Sequence, residues 1–233
     1  MTARPDAPAA GRVVIVTGGA QGPGRELSDR LARLGYAVVL SYADDQGQAE
    51  SAVEAILADQ GSAVAVRADV DDDLDVERLF AETVEMFGAI DAVVHAVRGE
   101  VTAADIREVA LSEFDALLRT NVRAAFIVNR QAARHVRAGG AIVSLITSVA
   151  ASTLPRYGAS ASAAAAVNAL TRALALELRD QAIAVNAVSL DVEKPNAGGR
   201  IAGVIAYLLS DEGHAITGQV IQLDGPGGPR RPR

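Results

Sequence analysis

The chain contains no cysteine, so disulfide bonds and thiol chemistry are both excluded. Its three histidines are scattered along the sequence, which argues against a zinc site. No run approaches the roughly 20 apolar residues that a membrane span requires. The N-terminal stretch MTARPDAPAAG has no apolar signal core. We therefore expect a cytoplasmic protein without a membrane partner.

Basic residues are fewer than acidic ones, 22 against 29, and the formal net charge is -7. Binding to a nucleic-acid backbone requires a basic face, so the charge argues against nucleic acid as a partner. Among the basic residues, Lys194 is the only lysine. The chain therefore has a single amine side chain to offer any site that needs one.

Short β-branched runs alternate with longer amphipathic stretches along the chain. The strand candidates are 12–17, 37–42, 63–67, 90–96, 141–146, 182–188 and 219–223. Helical patterns lie at about 24–34, 46–60, 73–87, 103–119, 122–137, 157–179 and 199–210. Near-continuous apolar strands separated by helices predict a parallel sheet covered on both faces. We expect one doubly wound α/β domain over residues 1–233, with flexible ends at 1–10 and 226–233.

The first strand runs into the glycine-rich stretch TGGAQGPG, residues 17–24, and then into a helical pattern. Gly18, Gly22 and Gly24 suit a tight turn, close backbone approach to a pyrophosphate, and a helix N-terminus aimed at negative charge. Such a stretch alone also fits an ordinary strand-to-helix turn. Its position after the first strand of an alternating α/β chain favours nucleotide binding.

Several stretches together resemble the short-chain dehydrogenase/reductase (SDR) family. The spacing Thr-Gly-x-x-x-Gly-x-Gly is similar to its glycine motif, although Pro23 departs from the usual apolar residue. Asp69-Val70 is similar to the family's adenine-contacting segment, and Asn121-Val122 to its helix-bending Asn. Thr147-Ser148 follows the fifth strand as the family's catalytic serine does. The stretches AVNALTRALALEL and ITGQVIQLDG also match, so the resemblance covers about residues 12 to 225.

The resemblance implies a Rossmann-type domain with a seven-stranded parallel sheet of order 3-2-1-4-5-6-7. It also implies a nicotinamide cofactor, a small-molecule carbonyl substrate and a homodimer or homotetramer. The cofactor-binding residues implied by the glycine motif and the adenine segment are Gly18, Gln21, Gly22, Gly24, Asp69 and Val70.

The end of the second strand bears on the choice between NAD and NADP. An acidic residue there would bind the ribose 2′-hydroxyl and favour NAD. This strand ends in Ser41 and Tyr42, and a hydroxyl tolerates a 2′-phosphate better than a carboxylate does. Asp44 and Asp45 lie close by, and no arginine clamp is evident in the sequence. The pattern favours NADP over NAD, with Ser41 as a cofactor-binding residue.

SDR reductases use a tyrosine as proton donor and a lysine four residues later, which lowers the pKa of the phenol. Two registers compete here. The first places Tyr157 at the tyrosine position and Ala161 at the lysine position. The second aligns the following helix without a gap and places Ser160 and Ala164 there. We prefer the second register, because a helix does not readily absorb three extra residues. In both registers the lysine is absent.

The catalytic candidates are Ser148, Tyr157, Asn121 and Ser160. In the preferred register Ser148 precedes the tyrosine position by twelve residues, close to the family's usual spacing. Tyr157 precedes Ala164 by seven residues, a spacing that resembles that of enoyl reductases. The tyrosine either lies over the nicotinamide or packs in a loop.

After the fourth strand the family's Asn-Asn-Ala-Gly is replaced by His95-Ala96-Val97-Arg98. His95 is the only histidine placed to act near neutral pH, and it also fits a satisfied core residue. Arg98 either supplies positive charge beside the ribose or faces solvent. After the sixth strand, Asp191 replaces the family's glycine and the substrate-covering segment is missing, which predicts an open cleft. Lys194, in this connection, either reaches the cofactor or is solvated.

Three functional hypotheses follow. The first is an atypical NADP(H)-dependent reductase of a bulky ketone, such as an aromatic polyketide of specialised metabolism, with substrate-assisted proton transfer. The second is a non-catalytic SDR-like subunit that binds nucleotide or works through assembly. The third is the same scaffold reused for cyclisation or dehydration. The retained glycine turn favours the first.

Overall fold

A computed structural model of the protein describes residues 11–97, 99, 103–147, 155–190 and 198–223. Seven parallel strands form one sheet: β1 (Val13–Thr17), β2 (Ala37–Tyr42), β3 (Ser62–Arg67), β4 (Ile90–His95), β5 (Val136–Thr147), β6 (Ala184–Leu190) and β7 (Val220–Leu223). Their order is β3-β2-β1-β4-β5-β6-β7, as the sequence and its resemblance predict.

The helices alternate with the strands. They are α1 (Gly22–Arg33), α2 (Gln46–Ala58), α3 (Asp73–Phe87), α4 (Leu111–Leu118), α5 (Ala124–His135), α6 (Gly158–Glu177) and α7 (Gly198–Leu208). No helix in the described ranges is long and apolar enough to cross a membrane.

Helices cover both faces of the sheet, and successive strand residues point to opposite faces. In β1, Val14 and Val16 pack into a core with Leu27 and Leu31 of α1 and Ile205 of α7. From the other face of the same strand, Val13 and Ile15 pack into a second core that contains Phe80 of α3, Ile127 of α5 and Leu174 of α6. The apolar runs that predicted buried parallel strands therefore correspond to a two-sided core.

The expected helix at 103–119 is wrong in its extent. The segment contains a single 3₁₀ turn at Ile106–Glu108, and α4 begins only at Leu111. The Glu113 carboxylate accepts a hydrogen bond from the Ala110 amide at 3.3 Å, which satisfies a free N–H group at the start of α4. The extended backbone at Val109 and Ala110 separates the two segments.

β5 begins five residues earlier than its apolar run predicts. Ile90 pairs with Val136 and Ala92 with Ala141, so three extra residues of β5 form a bulge against β4. Gly139 adopts a positive φ of 74°, and a Cβ on Gly140 would lie 2.5 Å from the Asp91 carbonyl oxygen. The two glycines that look like a break in the sequence thus allow the irregular start of the strand.

Candidate active site

The glycine turn between β1 and α1 is built for close backbone contact. A Cβ added to Gly24 would lie 2.2 Å from the Gly18 carbonyl oxygen, and one on Gly18 would lie 2.8 Å from Val97 Cγ2. Gly18 and Gly22 have positive φ values of 64° and 50°. These contacts require glycine, and they are the contacts that the fingerprint of dinucleotide-binding folds uses.

The N-terminus of α1 is free to receive an anion. Its N-cap residue Gln21 makes no side-chain cap, and the first turn holds no acidic residue. A Cβ on Gly22 would meet nothing within 4 Å, so open space adjoins the turn. Backbone N–H groups at a helix N-terminus bind phosphate well. The residues present therefore fit the pyrophosphate of a nicotinamide dinucleotide.

At the end of β2, Ser41 faces inward. Its side chain is only 1% exposed, and its hydroxyl oxygen accepts a hydrogen bond from the Gly18 amide at 3.4 Å. The Ser41 hydroxyl thus binds the backbone of the glycine turn. Its contact with a ribose 2′-phosphate stays a prediction, and the exposed loop that follows, residues 43–45, is the nearer surface for such a group.

Asp69 and Val70 follow β3 at the same edge of the sheet. Asp69 is exposed, its Oδ1 accepts a hydrogen bond from the Asp71 amide at 2.9 Å, and its own amide donates to Asp75 Oδ2 at 3.0 Å. Val70 is buried in the core below α3 and α5. The turn that would meet an adenine ring is therefore fixed by carboxylate-to-amide hydrogen bonds.

His95 ends β4 and is almost fully buried, with 2% exposure. One ring nitrogen, Nδ1, lies 2.8 Å from Thr17 Oγ1, and that oxygen also accepts a hydrogen bond from the Ala96 amide at 3.2 Å. Burial lowers the pKa of His95 from 6.5 to about 4, because the interior disfavours the charged imidazolium. The ring is therefore neutral at pH 7 and ties β1 to β4. This favours the structural alternative.

Asn121 lies in a π-helical turn, Arg119–Arg123, that joins α4 to α5. Its Nδ2 donates to the Leu117 carbonyl at 3.0 Å, and its Oδ1 accepts from the Gly99 amide at 3.1 Å. The side chain thus bends the helix and holds the segment after β4. Such π-turns are frequent at functional sites. The position matches the bend that the resemblance implies.

One face of α6 points toward Asn121. Ser160, Ala163, Ala164 and Val167 are spaced at helical intervals, and all four line a small cavity together with Asn121. The remaining lining residues of this cavity are Val97, Gly99, Leu117, Leu145 and Ile146. Its volume of about 10 Å³ holds no more than a single water molecule. Ala164 is thus closely packed among mostly apolar residues, with Asn121 and Ser160 as the polar lining residues in the described part of the chain.

Ser160 also lines a larger cleft of about 260 Å³ on the outer side of the first cavity. The cleft runs between α4 and the start of α6, and Phe114, Val109 and Leu117 give it apolar walls. Glu113 is its only charged lining residue among those described. The Ser160 hydroxyl is 4% exposed and has no hydrogen-bond partner in the described part of the chain. A buried hydroxyl without a described hydrogen-bond partner thus belongs to a residue that lines both spaces.

Tyr157 lies at the N-cap position of α6, half-buried, and lines neither of these two spaces. Ala161, the lysine position of the first register, does not line them either. The structure therefore brings Asn121, Ser160 and Ala164 together around the small cavity, and a catalytic role of Tyr157 stays a prediction. Ser148, Arg98, Asp191 and Lys194 lie outside the described residues.

The connection between β6 and α7 is short. β6 ends at Leu190 and α7 begins at Gly198, so seven residues separate them. A covering segment of some tens of residues does not fit into this length.

Sequence reasoning missed three residues, one beside the loop after β2 and two in the cleft. Arg67, at the end of β3, hydrogen-bonds the loop after β2, a contact that depends on strand pairing. Glu113 and Phe114 line the cleft because α4 packs beside α6. The sequence around Glu113 reads as an ordinary amphipathic helix, so no local signal marks it.

Comparisons with known proteins agree with this geometry. A family profile described as short chain dehydrogenase matches residues 12–197. Versicolorin reductase 1 of Aspergillus parasiticus is 30% identical, over 92% of this chain and 95% of its own length. Tetrahydroxynaphthalene reductase of Pyricularia oryzae is 30% identical, over 92% and 89%. A short chain dehydrogenase from Burkholderia cenocepacia, solved in complex with NADP, has a TM-score of 0.85 at 28% identity, over 94% and 98%.

The family match extends over most of the chain, and the sheet order and the glycine turn agree with it. The NADP-bound neighbour supports a nicotinamide cofactor. The protein therefore belongs to the short-chain dehydrogenase family and is an oxidoreductase that acts on carbonyl groups.

Proposed function

We propose that the protein is an NADP(H)-dependent reductase of a bulky aromatic ketone that works without the usual tyrosine and lysine pair. One observation carries this proposal. The glycine cradle for a dinucleotide is intact, while Ser160 and Ala164 occupy the face of α6 that meets Asn121. These residues support a protein that binds the cofactor and delivers the proton by another route.

When bound, a nicotinamide dinucleotide supplies the hydride, and the protein binds and orients. Gly18, Gly22 and Gly24 hold the pyrophosphate against the first turn of α1. The free Ser160 hydroxyl donates a hydrogen bond to the carbonyl oxygen of a substrate in the cleft, with Ser148 as a second donor. Neither serine is acidic enough to replace a phenol, so the proton comes from the substrate or from water.

The relatives point to the substrate class. The name of tetrahydroxynaphthalene reductase contains a hydroxylated naphthalene, which is a bicyclic aromatic compound. The cleft has apolar walls with a single carboxylate, and it is open, which suits a planar uncharged aromatic molecule. A phenol beside the carbonyl would donate the proton within the substrate. Loss of one general acid typically costs about 10² to 10⁴ in rate, which such a phenol offsets in part.

The experiment has two stages. NADPH fluorescence titration measures cofactor binding, and absence of binding contradicts the reductase. NADPH oxidation is then followed with two sets of aromatic ketones, which either have or lack a phenol beside the carbonyl. We expect turnover only with the phenolic set. Equal turnover of both sets would contradict substrate assistance.

Serine variants separate the roles of the side chains. Ser160→Ala and Ser148→Ala should each lower kcat about tenfold or more, whereas Tyr157→Phe should leave it unchanged. Ser162→Ala is the matched control, because Ser162 is an exposed serine of the same helix that bonds only the Ala159 carbonyl. If all the serine variants behave alike, this assignment is wrong.

A second function is favoured by the missing acid pair. A non-catalytic SDR-like subunit, or a scaffold reused for cyclisation or dehydration, would need neither a tyrosine nor a lysine. The discriminating result is NADPH binding without oxidation by any ketone of either set.

We further propose that the protein forms a homodimer or homotetramer. Phe126 on α5 and Leu176 on α6 are 53% and 65% exposed, which leaves apolar side chains on both helices for a second copy to cover. Light scattering should give a multiple of 24.0 kDa, and Leu176→Glu should shift the mass toward that of the monomer. A monomer at micromolar concentration would contradict this proposal.

A further inference from the structure

An arginine of β3, Arg67, lies beside the end of β2. Tyr42 of β2 pairs with Arg67 of β3, so the Arg67 side chain starts beside the loop that follows β2. Its Nε donates a hydrogen bond to the Ala43 carbonyl oxygen at 3.0 Å. The guanidinium is exposed, and in the part of the chain that the structure describes Nη1 and Nη2 make no hydrogen bond.

The loop that Arg67 contacts is where a dinucleotide turns toward its adenosine ribose. In doubly wound sheets, the residue at the end of the second strand meets the ribose 2′-position, and a nearby arginine accommodates a 2′-phosphate. Ser41 is turned inward to the Gly18 amide. Asp45 caps α2, because its carboxylate accepts from the Gln48 amide at 3.0 Å and from the Gln48 side chain at 2.6 Å.

The acidic residues near Arg67 do not neutralise it by direct contact. Asp75 is close enough for the Arg67 charge to lower its pKa, after larger effects from the Asp69 backbone and from Arg78. The carboxylate is bonded elsewhere: Asp75 pairs with Arg78 at 2.8 Å and accepts from the Asp69 amide. Arg67 therefore presents the free edge formed by Nη1 and Nη2, and a guanidinium edge binds two phosphate oxygens at once.

We propose that Arg67 is the residue that selects NADP(H) over NAD(H), by binding the 2′-phosphate of the adenosine ribose. The inference rests on the proposed function, because it assumes that a dinucleotide binds at the glycine turn. The Nε bond to Ala43 holds the guanidinium in position over the loop. Asp44 and Asp45, both exposed on that loop, oppose the phosphate and limit the selectivity.

Binding, not turnover, is the measurement. Fluorescence titration with NADPH and with NADH gives two Kd values for wild type, Arg67→Gln and Arg67→Lys. We expect Arg67→Gln to raise the Kd for NADPH on the order of tenfold and to leave that for NADH within about twofold. Arg67→Lys keeps the positive charge but loses the two-pronged guanidinium geometry, so its Kd for NADPH should lie between those of wild type and Arg67→Gln. Arg179→Gln is the matched control and should change neither, because Arg179 is an exposed arginine in the 3₁₀ turn that follows α6.

The two cofactors separate a binding role from a structural one. If Arg67 only braces the β2 loop, Arg67→Gln raises both Kd values together, which would overturn the assignment. Equal NADPH affinity in wild type and Arg67→Gln would overturn it too, while leaving cofactor binding intact. Binding of neither cofactor to wild type would refute the proposed function itself.

A smaller probe removes the nicotinamide half of the molecule. Adenosine 2′,5′-bisphosphate and adenosine 5′-monophosphate differ only in the 2′-phosphate, and both should displace NADPH from wild type. We expect the bisphosphate to lose affinity in Arg67→Gln and the monophosphate to keep it. Asp44→Asn should tighten the bisphosphate selectively, since it removes a repelling charge. Bisphosphate binding that is indifferent to both changes would exclude a phosphate site at this loop.

Discussion

Acidification should destabilise this protein through His95. The folded pKa is about 4 against 6.5 for the free side chain, because the buried ring has no charged partner. The unfolded chain therefore takes up a proton before the folded chain does. Stability is complete above pH 6.5 and is lost as the pH falls toward 4.

The size of the loss follows from the two pKa values. The difference between the two pKa values lowers the free energy of unfolding by roughly 0.2 kcal/mol at pH 7, about 2 kcal/mol at pH 5, and about 3 kcal/mol below pH 4. Marginally stable domains have only about 5–15 kcal/mol to lose. The effect is therefore large enough to measure by urea denaturation at pH 7 and pH 5.

His95→Gln isolates this contribution. The amide retains a partner for Thr17 Oγ1 and has no proton to gain between pH 7 and pH 5. We expect wild type to lose about 2 kcal/mol more than the variant over this range, since His135 and His214 are common to both. If the two proteins lose the same free energy, burial of a neutral His95 is refuted. Should His95→Gln fail to fold, NMR of wild type decides, because the His95 ring should not titrate above pH 5.

Three further substitutions test other parts of the structure. Gly24→Ala places a methyl group 2.2 Å from the Gly18 carbonyl oxygen, so NADPH affinity should fall more than tenfold; unchanged affinity would contradict the cradle. Asp91→Ala removes the acceptor for the buried Val13 amide at 2.6 Å and should cost about 1–3 kcal/mol in urea denaturation, whereas Asp91→Asn should cost less; equal costs would contradict this. Ala164→Lys forces an ammonium into a closely packed apolar cavity and should lower stability by about 2 kcal/mol or more; a variant as stable as wild type would show that the cavity opens to water.

Local patterns were sufficient to predict the strands and their burial, because each strand core is an apolar run and each run is followed by a helix. The strand order was implied by the family resemblance. The extent of α4 and the early start of β5 could not be read in this way. Both depend on distant atoms: the Gly139-Gly140 bulge lies against Asp91 on β4. A one-dimensional pattern does not contain such contacts.

The site was predictable only where the residues that act together are close in the sequence. Gly18, Gly22 and Gly24 act within eight residues of one another, and their spacing predicts their conformations. The direction of Ser41 depends on which face of β2 meets the glycine turn. The reach of Arg67 depends on the pairing of β2 with β3, 25 residues apart at Tyr42 and Arg67. Because sequence spacing says little about such pairs, no local signal places Arg67 beside the loop after β2.

The loss of lysine on α6 is matched by the packing around it. A single deleted side chain would leave a space the size of a lysine stem, yet the cavity at Ala164 holds about one water. Val97, where the SDR motif has alanine, and Val167 fill the surroundings, and the Asn121 amide is committed to Gly99 and Leu117. Among the described residues that line this cavity, a charge restored there would find no acidic partner. This packing is consistent with the proposed chemistry, in which the substrate brings its own proton.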